Sequence, residues 1–500
     1  MYARRWWILG VLCVVLALIG IDVTVLAVAI PDLTLALHAD TSEVQWIIDV
    51  YSLVFAGFVV AMGAVSDRYG RRLLLLIGVV ALGVFSGLGA FSQNPVQLTA
   101  ARALTGLAAA MIMPSTLSII ANVFDDDERP RAIGIWSGVA GLGFILGPII
   151  GGFLLSAFYW GSVLLINVPI VVVAFVLIVW LVPESKDPHS APIDYAGTAL
   201  SVIGLAALIF GVIEGPNSGW GSPQVVAAFV VAACMLTAFV FWELRARHPM
   251  LDVRAFKIPA FGVPALVIAL VMFVMFGLIL LLPQYLQFVE DQSTLLIGLL
   301  LAPLSATWSV AAVGAPFVVK RVGEKATMVS ALVIVCAGLA VFFAIGTGPS
   351  IAIVVVASVV AGVGMGLVET PATVLLLDAL PAEKAGVASA VNDLTREGGG
   401  AIGIAVLGSI ANAVYIATIV PSLTNLAPKD ADTVESGIGG AVELAVRQGN
   451  DTLLAAARSA FVTGYKYAMA AGLVVMAISV AICAIWLPNR AKLAELRSRR

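Results

Sequence analysis

Gly63-Ala-Val-Ser-Asp67-Arg68-Tyr-Gly70-Arg71-Arg72 closes one long apolar run, and Gly314-Ala-Pro-Phe-Val-Val-Lys320-Arg321-Val-Gly323-Glu-Lys325 closes another, 251 residues later. Each is a glycine-bearing basic turn where an apolar helix meets water. Arg131-Ala-Ile-Gly-Ile-Trp-Ser137 resembles Lys384-Ala-Gly-Val-Ala-Ser-Ala390 at an offset of 253, and Pro31 and Pro283 end apolar runs 252 apart. Three pairs at nearly one spacing imply an internal duplication.

The duplicated unit lies in membrane. Of the 500 residues, 61% are hydrophobic and only 11% charged, far from the roughly half-apolar make-up of soluble domains. Mean hydropathy is +1.07. Runs of about 20 residues, enough for a bilayer core, fall at 6–30, 45–65, 73–92, 98–121, 132–156, 162–182, 196–214 and 224–242. Six more follow at 260–282, 295–319, 327–346, 351–376, 398–418 and 462–487. The sequence therefore predicts an all-α polytopic protein with fourteen spans. Residues 1–183 form an N-terminal six-helix half, 184–258 two inserted helices with linkers, and 259–500 a C-terminal half. A long outer loop at about 419–460 reads as two short amphipathic helices, around Val442, Leu444 and Ala445 and around Leu453, Leu454 and Ala457. It either packs on the surface or covers an exit.

Lys and Arg set the orientation. Arg4 and Arg5, Arg68 to Arg72, Arg129 and Arg131, Lys186, Arg245 to Lys257, Lys320 to Lys325, Lys384 and the tail from Arg490 to Arg500 all fall on one side. The opposite segments 31–44, 92–97, 215–223 and 283–294 contain none. The positive-inside rule then puts both termini in the cytoplasm, which requires an even number of spans. Four cysteines, Cys13, Cys234, Cys336 and Cys483, are scattered through apolar spans and read as small core hydrophobes. No phosphate loop, metal cluster or nucleophile triad is evident, and nothing points to nucleic acid.

These turns, with Leu98-Thr-Ala-Ala-Arg102-Ala-Leu-Thr-Gly106, resemble the signature segments of the major facilitator superfamily. Ile21-Asp22-Val-Thr24-Val-Leu-Ala-Val-Ala29-Ile-Pro31, Gln45-Trp46-Ile-Ile-Asp49-Val-Tyr51-Ser-Leu53 and Pro183-Glu184-Ser185 narrow the likeness to fourteen-helix drug:proton antiporters of the QacA and LfrA type. Gly141-Leu-Gly143-Phe-Ile-Leu-Gly147-Pro148-Ile-Ile-Gly151-Gly152 resembles the fifth-helix motif of exporters. Two departures stand out: Lys320 occupies the place of Asp67 in the second turn, and Val274 that of Asp22.

An ionised side chain at a helix centre costs at least about 2.5 kcal/mol, so each needs a reason. Asp22 lies in an otherwise apolar run with no basic neighbour in sequence, and is expected to be protonated or bound to a cation. Asp49 follows Trp46 by three residues, on one helical face. Asp393 and Glu397 are one turn apart with Arg396 between them, which reads as an internal ion pair or as functional acids, and Glu369 lies deep in its span beside Thr370 and Pro371. The resemblance implies a proton- or cation-binding role for Asp22, Asp49, Asp393 and Glu397, and a coupling role for Arg102, expected to bind backbone carbonyls or an acid. Asp67, Arg68, Arg72 and Arg131 are expected to gate the basic side. Trp46, Tyr51, Phe55, Trp136, Phe273, Phe276 and Trp308 are candidate cavity aromatics, since a lipophilic cation gains about 0.5–2 kcal/mol on a ring face. Gly143, Gly147 and Gly151 recur every fourth residue and form a stripe for close helix packing, with a bend expected at Pro148.

The resemblance implies a secondary transporter, not an enzyme, in the bacterial inner membrane. It needs no cofactor beyond protons, functions as a monomer, and exchanges protons for lipophilic, mainly cationic compounds such as dyes, quaternary ammonium compounds and fluoroquinolone-like drugs. An exporter of an endogenous lipid, siderophore or metabolite, or a nutrient symporter, are the alternatives.

Overall fold

The computed structural model describes residues 4–39, 41–186, 194–247, 249–346, 348, 351–423 and 426–489. The basic tail from Arg490 lies outside them, and so does the side chain of Pro148, where a bend is expected. In lipid every backbone polar group must be satisfied within the chain, and the apolar runs answer this with helices. The first half contains α1 (Arg5–Leu37), α2 (Thr41–Tyr69), α3 (Arg71–Ala90), α4 (Pro95–Val123), α5 (Arg129–Ala157), α6 (Ser162–Leu165) and α7 (Asn167–Leu181). The insert is α8 (Tyr195–Ser218) and α9 (Pro223–Arg245). The second half contains α10 (Pro259–Gln284), α11 (Thr294–Val322), α12 (Glu324–Ala344), α13 (Ile351–Asp378), α14 (Ala385–Ile419), α15 (Pro428–Glu435), α16 (Ile438–Gln448) and α17 (Asp451–Trp486).

Among the described residues thirteen helices are long and apolar enough to cross a membrane, the α6–α7 pair counting as one. With the 29-residue α5, they account for the expected spans. Starts follow local chemistry: Asn94 accepts from the Gln97 amide at 2.9 Å, Asp194 from Gly197 at 2.8 Å, and Asn450 from Leu453 at 3.0 Å. Each satisfies an otherwise orphaned N–H of a first turn. Several boundaries differ from expectation. α1 runs through Pro31 to Leu37, and α10 continues past Pro283 into a π turn, Tyr285–Val289. α14 begins at Ala385 and α17 at Asp451, well before the apolar runs they contain.

The duplication is visible in the packing. α1 packs on α5, α2 on α4, α3 on α4 and on α7; α10 on α14, α11 on α13, α12 on α13 and on α17 repeat these pairs. The halves meet along two seams, α2–α14 and α5–α11. α8 packs on α9 and lies against both α2 and α14.

The outer hairpin is α15 and α16. Ile438, Ala441, Leu444 and Ala445 are buried, and the Tyr415 hydroxyl of α14 donates to the Val434 carbonyl at 2.9 Å. Leu453, Leu454 and Ala457 belong instead to the outer extension of α17. In this conformation the hairpin packs on the outer end of the second half. Arg458 in that extension bonds the Phe288 carbonyl at 2.9 Å and pairs with Asp291, so basic residues are present on this side too.

Candidate substrate and coupling site

Asp22 is fully buried and ion-paired. Arg102 Nη1 donates to its Oδ2 at 2.6 Å, and Asn167 Nδ2 to its Oδ1, also at 2.6 Å. Asn167 Nδ2 also reaches Ser86 Oγ at 3.1 Å. The Arg102 guanidinium lies 4.6 Å from the Tyr51 ring centroid. Backbone approach permits this: a Cβ on Gly106, one turn beyond Arg102, would come 2.5 Å from the Tyr51 carbonyl. Four helices, α1, α2, α4 and α7, thus converge on one charge pair. Asp22 is not alone, and the acid expected for Arg102 is Asp22. Removing one partner of such a buried pair costs about 3–5 kcal/mol, because the other is stranded. Asn167 was the missing member; an amide inside the apolar run 162–182 is the signal that marks it.

Asp49 and Glu397 line a separate cavity of about 330 Å³ at the α2–α14 seam. Gln45 and Ser52 of α2, Ile209 and Ile213 of α8, Phe276 of α10 and Ser409 of α14 also face it. Among the described residues no Lys, Arg or His lines it. A volume in the range of about 300–1,000 Å³ suits small ligands, and two acids in a described lining that holds no basic residue suit a cationic one. A larger space of about 1290 Å³ lies on the basic side, lined by Asp126, Arg129, Arg254, Lys320, Asp378 and Lys384. Both signs of charge at an aqueous end make it a vestibule and a weaker candidate for a specific site.

Asp393, one turn before Glu397, is not among the described lining of the Asp49–Glu397 cavity. Asp393 is buried (1% exposed); its Oδ1 accepts from Asn392 Nδ2 at 3.3 Å, while Oδ2 has no hydrogen-bond partner among the described residues. Asn392 Oδ1 in turn accepts from Thr373 Oγ1 at 3.0 Å. The ion pair expected within this turn of α14 is overturned: Arg396 pairs across to Glu369 of α13. Its guanidinium lies 5.7 Å from the ring centroid of Trp136, on α5 of the other half.

On the basic side the expected gate is rearranged. Asp67 Oδ1 accepts from the Gly386 amide at 2.9 Å and Oδ2 from Val387 at 3.1 Å, both in the first turn of α14. Its cationic partner is Arg71, at 2.7 Å, whose Nη2 also reaches the Glu383 carbonyl at 3.1 Å. Arg72 turns back into its own half, donating to the Val179 carbonyl at 2.7 Å. Arg68 lies over the Tyr69 ring and Arg131 over Trp6. The second inter-half link is Arg129 with Asp378, at 3.1 Å. Arg71 opens α3 just past Gly70, whose φ of 131° breaks the helix, so this pair forms across the turn between α2 and α3.

The glycine ladder packs on α1. A Cβ on Gly143 would meet the Gly20 Cα at 2.8 Å, Gly147 sits against Thr24, and Gly151 against Val25. Thr24 Oγ1 is 3.3 Å from the Gly143 carbonyl it donates to. Of the candidate aromatics, Phe276 lines the cavity beside Asp49. The others are not among its described lining residues. Trp46 stands against Phe210 of α8 and Tyr51 stacks on Phe55. Trp136 Nε1 donates to Thr116 Oγ1 at 3.2 Å, and Phe273 and Trp308 are buried.

The sequence profile of the Major Facilitator Superfamily matches residues 12–404. The multidrug efflux pump LfrA of Mycolicibacterium smegmatis is 37% identical over 485 residues, 96% of each chain. The methyl viologen resistance protein SmvA of Salmonella typhimurium is 33% identical over 491 residues, 95% of this chain and 97% of that one. The multidrug resistance protein Stp of Mycobacterium tuberculosis is 32% identical over 414 residues, 83% of this chain and 77% of that one. In structure, the human organic anion transporter MFSD10 superposes with a TM-score of 0.61 at 17% identity, over 95% of this chain and 99% of that one.

Proposed function

Because the chain belongs to the Major Facilitator Superfamily, and relatives spanning most of its length are named for drug efflux and resistance, we propose that it exports lipophilic cations in exchange for protons. The observation that carries this is the cavity in which Asp49 of one half and Glu397 of the other face a common space with no basic side chain among its described lining residues. The moving bodies are residues 1–183 and 259–500, and a single chain holds the complete cavity. The basic turns face the cytoplasm of a bacterium, across its inner membrane. In this conformation the Asp67 latch closes the cytoplasmic end of the α2–α14 seam, while the cavity lies toward the other end.

Coupling runs through α2. Tyr51, two residues from Asp49, carries the Arg102 guanidinium on its ring, and Asp67 at the other end of the same helix holds the latch. A proton reaching Asp22 cancels one member of a buried pair, and Arg102 must then find another partner. Tyr51 transmits the change to the helix that holds both the substrate acid and the gate. Moving a monovalent cation outward against 100 mV costs about 2.3 kcal/mol, and each entering proton returns the same amount. A second proton therefore lets the voltage contribute, and Asp393 with its unpartnered Oδ2 is the acid suited to carry it.

The test is proton-driven ethidium efflux from proteoliposomes. Asp49→Asn and Glu397→Gln are each expected to lower it by about tenfold or more, the scale of a lost charge-assisted contact of about 1.5–3 kcal/mol. Normal efflux by both variants would sink the assignment.

A further inference from the structure

The α8–α9 hairpin has no counterpart in either half, yet α8 bridges them. On α2, Gly57 leaves room for Ala206 of α8, 3.6 Å from where its own Cβ would be, and the Trp46 and Phe210 rings lie 5.8 Å apart. Toward α14, Trp220 Nε1, just past the end of α8, is 3.3 Å from Ser409 Oγ. Between these anchors, Ile209, Val212, Ile213 and Pro216 line the cavity of Asp49 and Glu397. Their spacing of i, i+3, i+4 and i+7 is a single helical face. Ile203, off that face, is 49% exposed.

The division of chemistry is sharp. Among the described lining residues α2 and α14 supply every charged and hydroxyl group, and α8 supplies only apolar surface. We propose that the inserted helix α8 is the selectivity wall of the transport site: α2 and α14 read the positive charge, and Ile209, Val212 and Ile213 read the size and shape of the lipophilic body. This rests on the assignment of the cavity as the cation site. A wall of aliphatic side chains discriminates by fit, where one methylene is worth about 10–200-fold. Two cations of equal charge and different bulk should therefore be sorted by α8.

The experiment compares tetraphenylphosphonium with tetraethylammonium in proteoliposomes of the full chain. Ile213→Trp should lower tetraphenylphosphonium efflux by about tenfold or more relative to tetraethylammonium, and Ile209→Ala with Ile213→Ala should shift the ratio toward the bulkier cation. Ile203→Trp should leave the ratio unchanged. If the Trp variant does not fold, the alanine pair decides, read also by equilibrium dialysis of tetraphenylphosphonium with purified protein. An unchanged ratio in the α8 variants, while Asp49→Asn still abolishes transport of both cations, would overturn the selectivity wall alone. Full activity of both Asp49→Asn and Glu397→Gln toward both cations would overturn the cation site and the wall with it.

Discussion

The two seams between the halves are related by the duplication and built to different ends. Along α5–α11, a Cβ on Gly134 would lie 2.7 Å from the Ala312 carbonyl and one on Gly138 2.9 Å from that of Ser309. Ser309 Oγ closes the contact by donating to the Gly138 carbonyl at 2.7 Å. Along α2–α14 the same intimacy occurs near the basic end, where a Cβ on Gly63 would meet the Gly386 carbonyl at 2.6 Å. Farther along, that seam opens into the Asp49–Glu397 cavity, with α8 as an outer wall. One seam suits a dry pivot, the other recognition. α5 therefore has two small-residue faces, Gly143, Gly147 and Gly151 toward α1 and Gly134 and Gly138 toward α11.

The largest effect should come from filling the closed seam. Gly138→Leu drives a branched side chain into the backbone of α11, and overpacking a fitted contact costs about 1–3 kcal/mol, occasionally more. Here neither helix can retreat without moving half of the molecule. Transport should fall to background, with lowered thermal stability of the purified protein. Near-normal efflux would show that the α5–α11 contact is not kept through the cycle.

Next is the latch. Asp67→Ala removes the acceptor of the Gly386 and Val387 amides and takes the carboxylate from the buried Arg71. The loss of about 3–5 kcal/mol falls on the state in which the latch is made, since an opened Asp67 is solvated. An equilibrium shift above about a hundredfold follows from the lower figure at 1.4 kcal/mol per tenfold. Spin labels on the basic ends of α2 and α14 should report a longer distance. Lys320→Ala, at the equivalent place on α11, should leave it unchanged; equal shifts in both variants would erase the asymmetry between seams.

That asymmetry was half legible. Lys320 standing where the first turn has Asp67 is plain in the sequence, and it does limit the amide-capping latch to one seam. The apolar runs and the repeat offset carry most of the fold, because lipid leaves a chain few options. Pairings are another matter. Asp22 and Arg102 each stand out as charges in apolar helices, yet their contact joins residues 80 apart in sequence, and nothing local specifies it. Glu369 and Arg396 meet across 27 residues, against the nearer partners that spacing favours. Aromatic residues were least legible, since a ring in a cavity and a ring in a helix contact have the same composition and period. α8 stands out in the sequence only as an insert in the repeat; its position between α2 and α14 reveals a lining face.

The smallest effect is expected at the ion pair of Arg129 with Asp378, which also joins the halves. Arg129 and Asp378 are each about 20% exposed, and Arg129 also holds Asp126 at 2.9 Å. Partial solvation screens the pair, so it is worth no more than about 1 kcal/mol. It joins α5 to α13, beside the seam whose glycines already fix the distance between halves. Arg129→Ala should therefore change efflux by less than about fivefold, the factor corresponding to 1 kcal/mol, and should leave the α2–α14 spin-label distance in place. A loss as deep as that of Asp67→Ala would mean that charge, and not glycine packing, holds the α5–α11 side, and the two seams would then be latched alike.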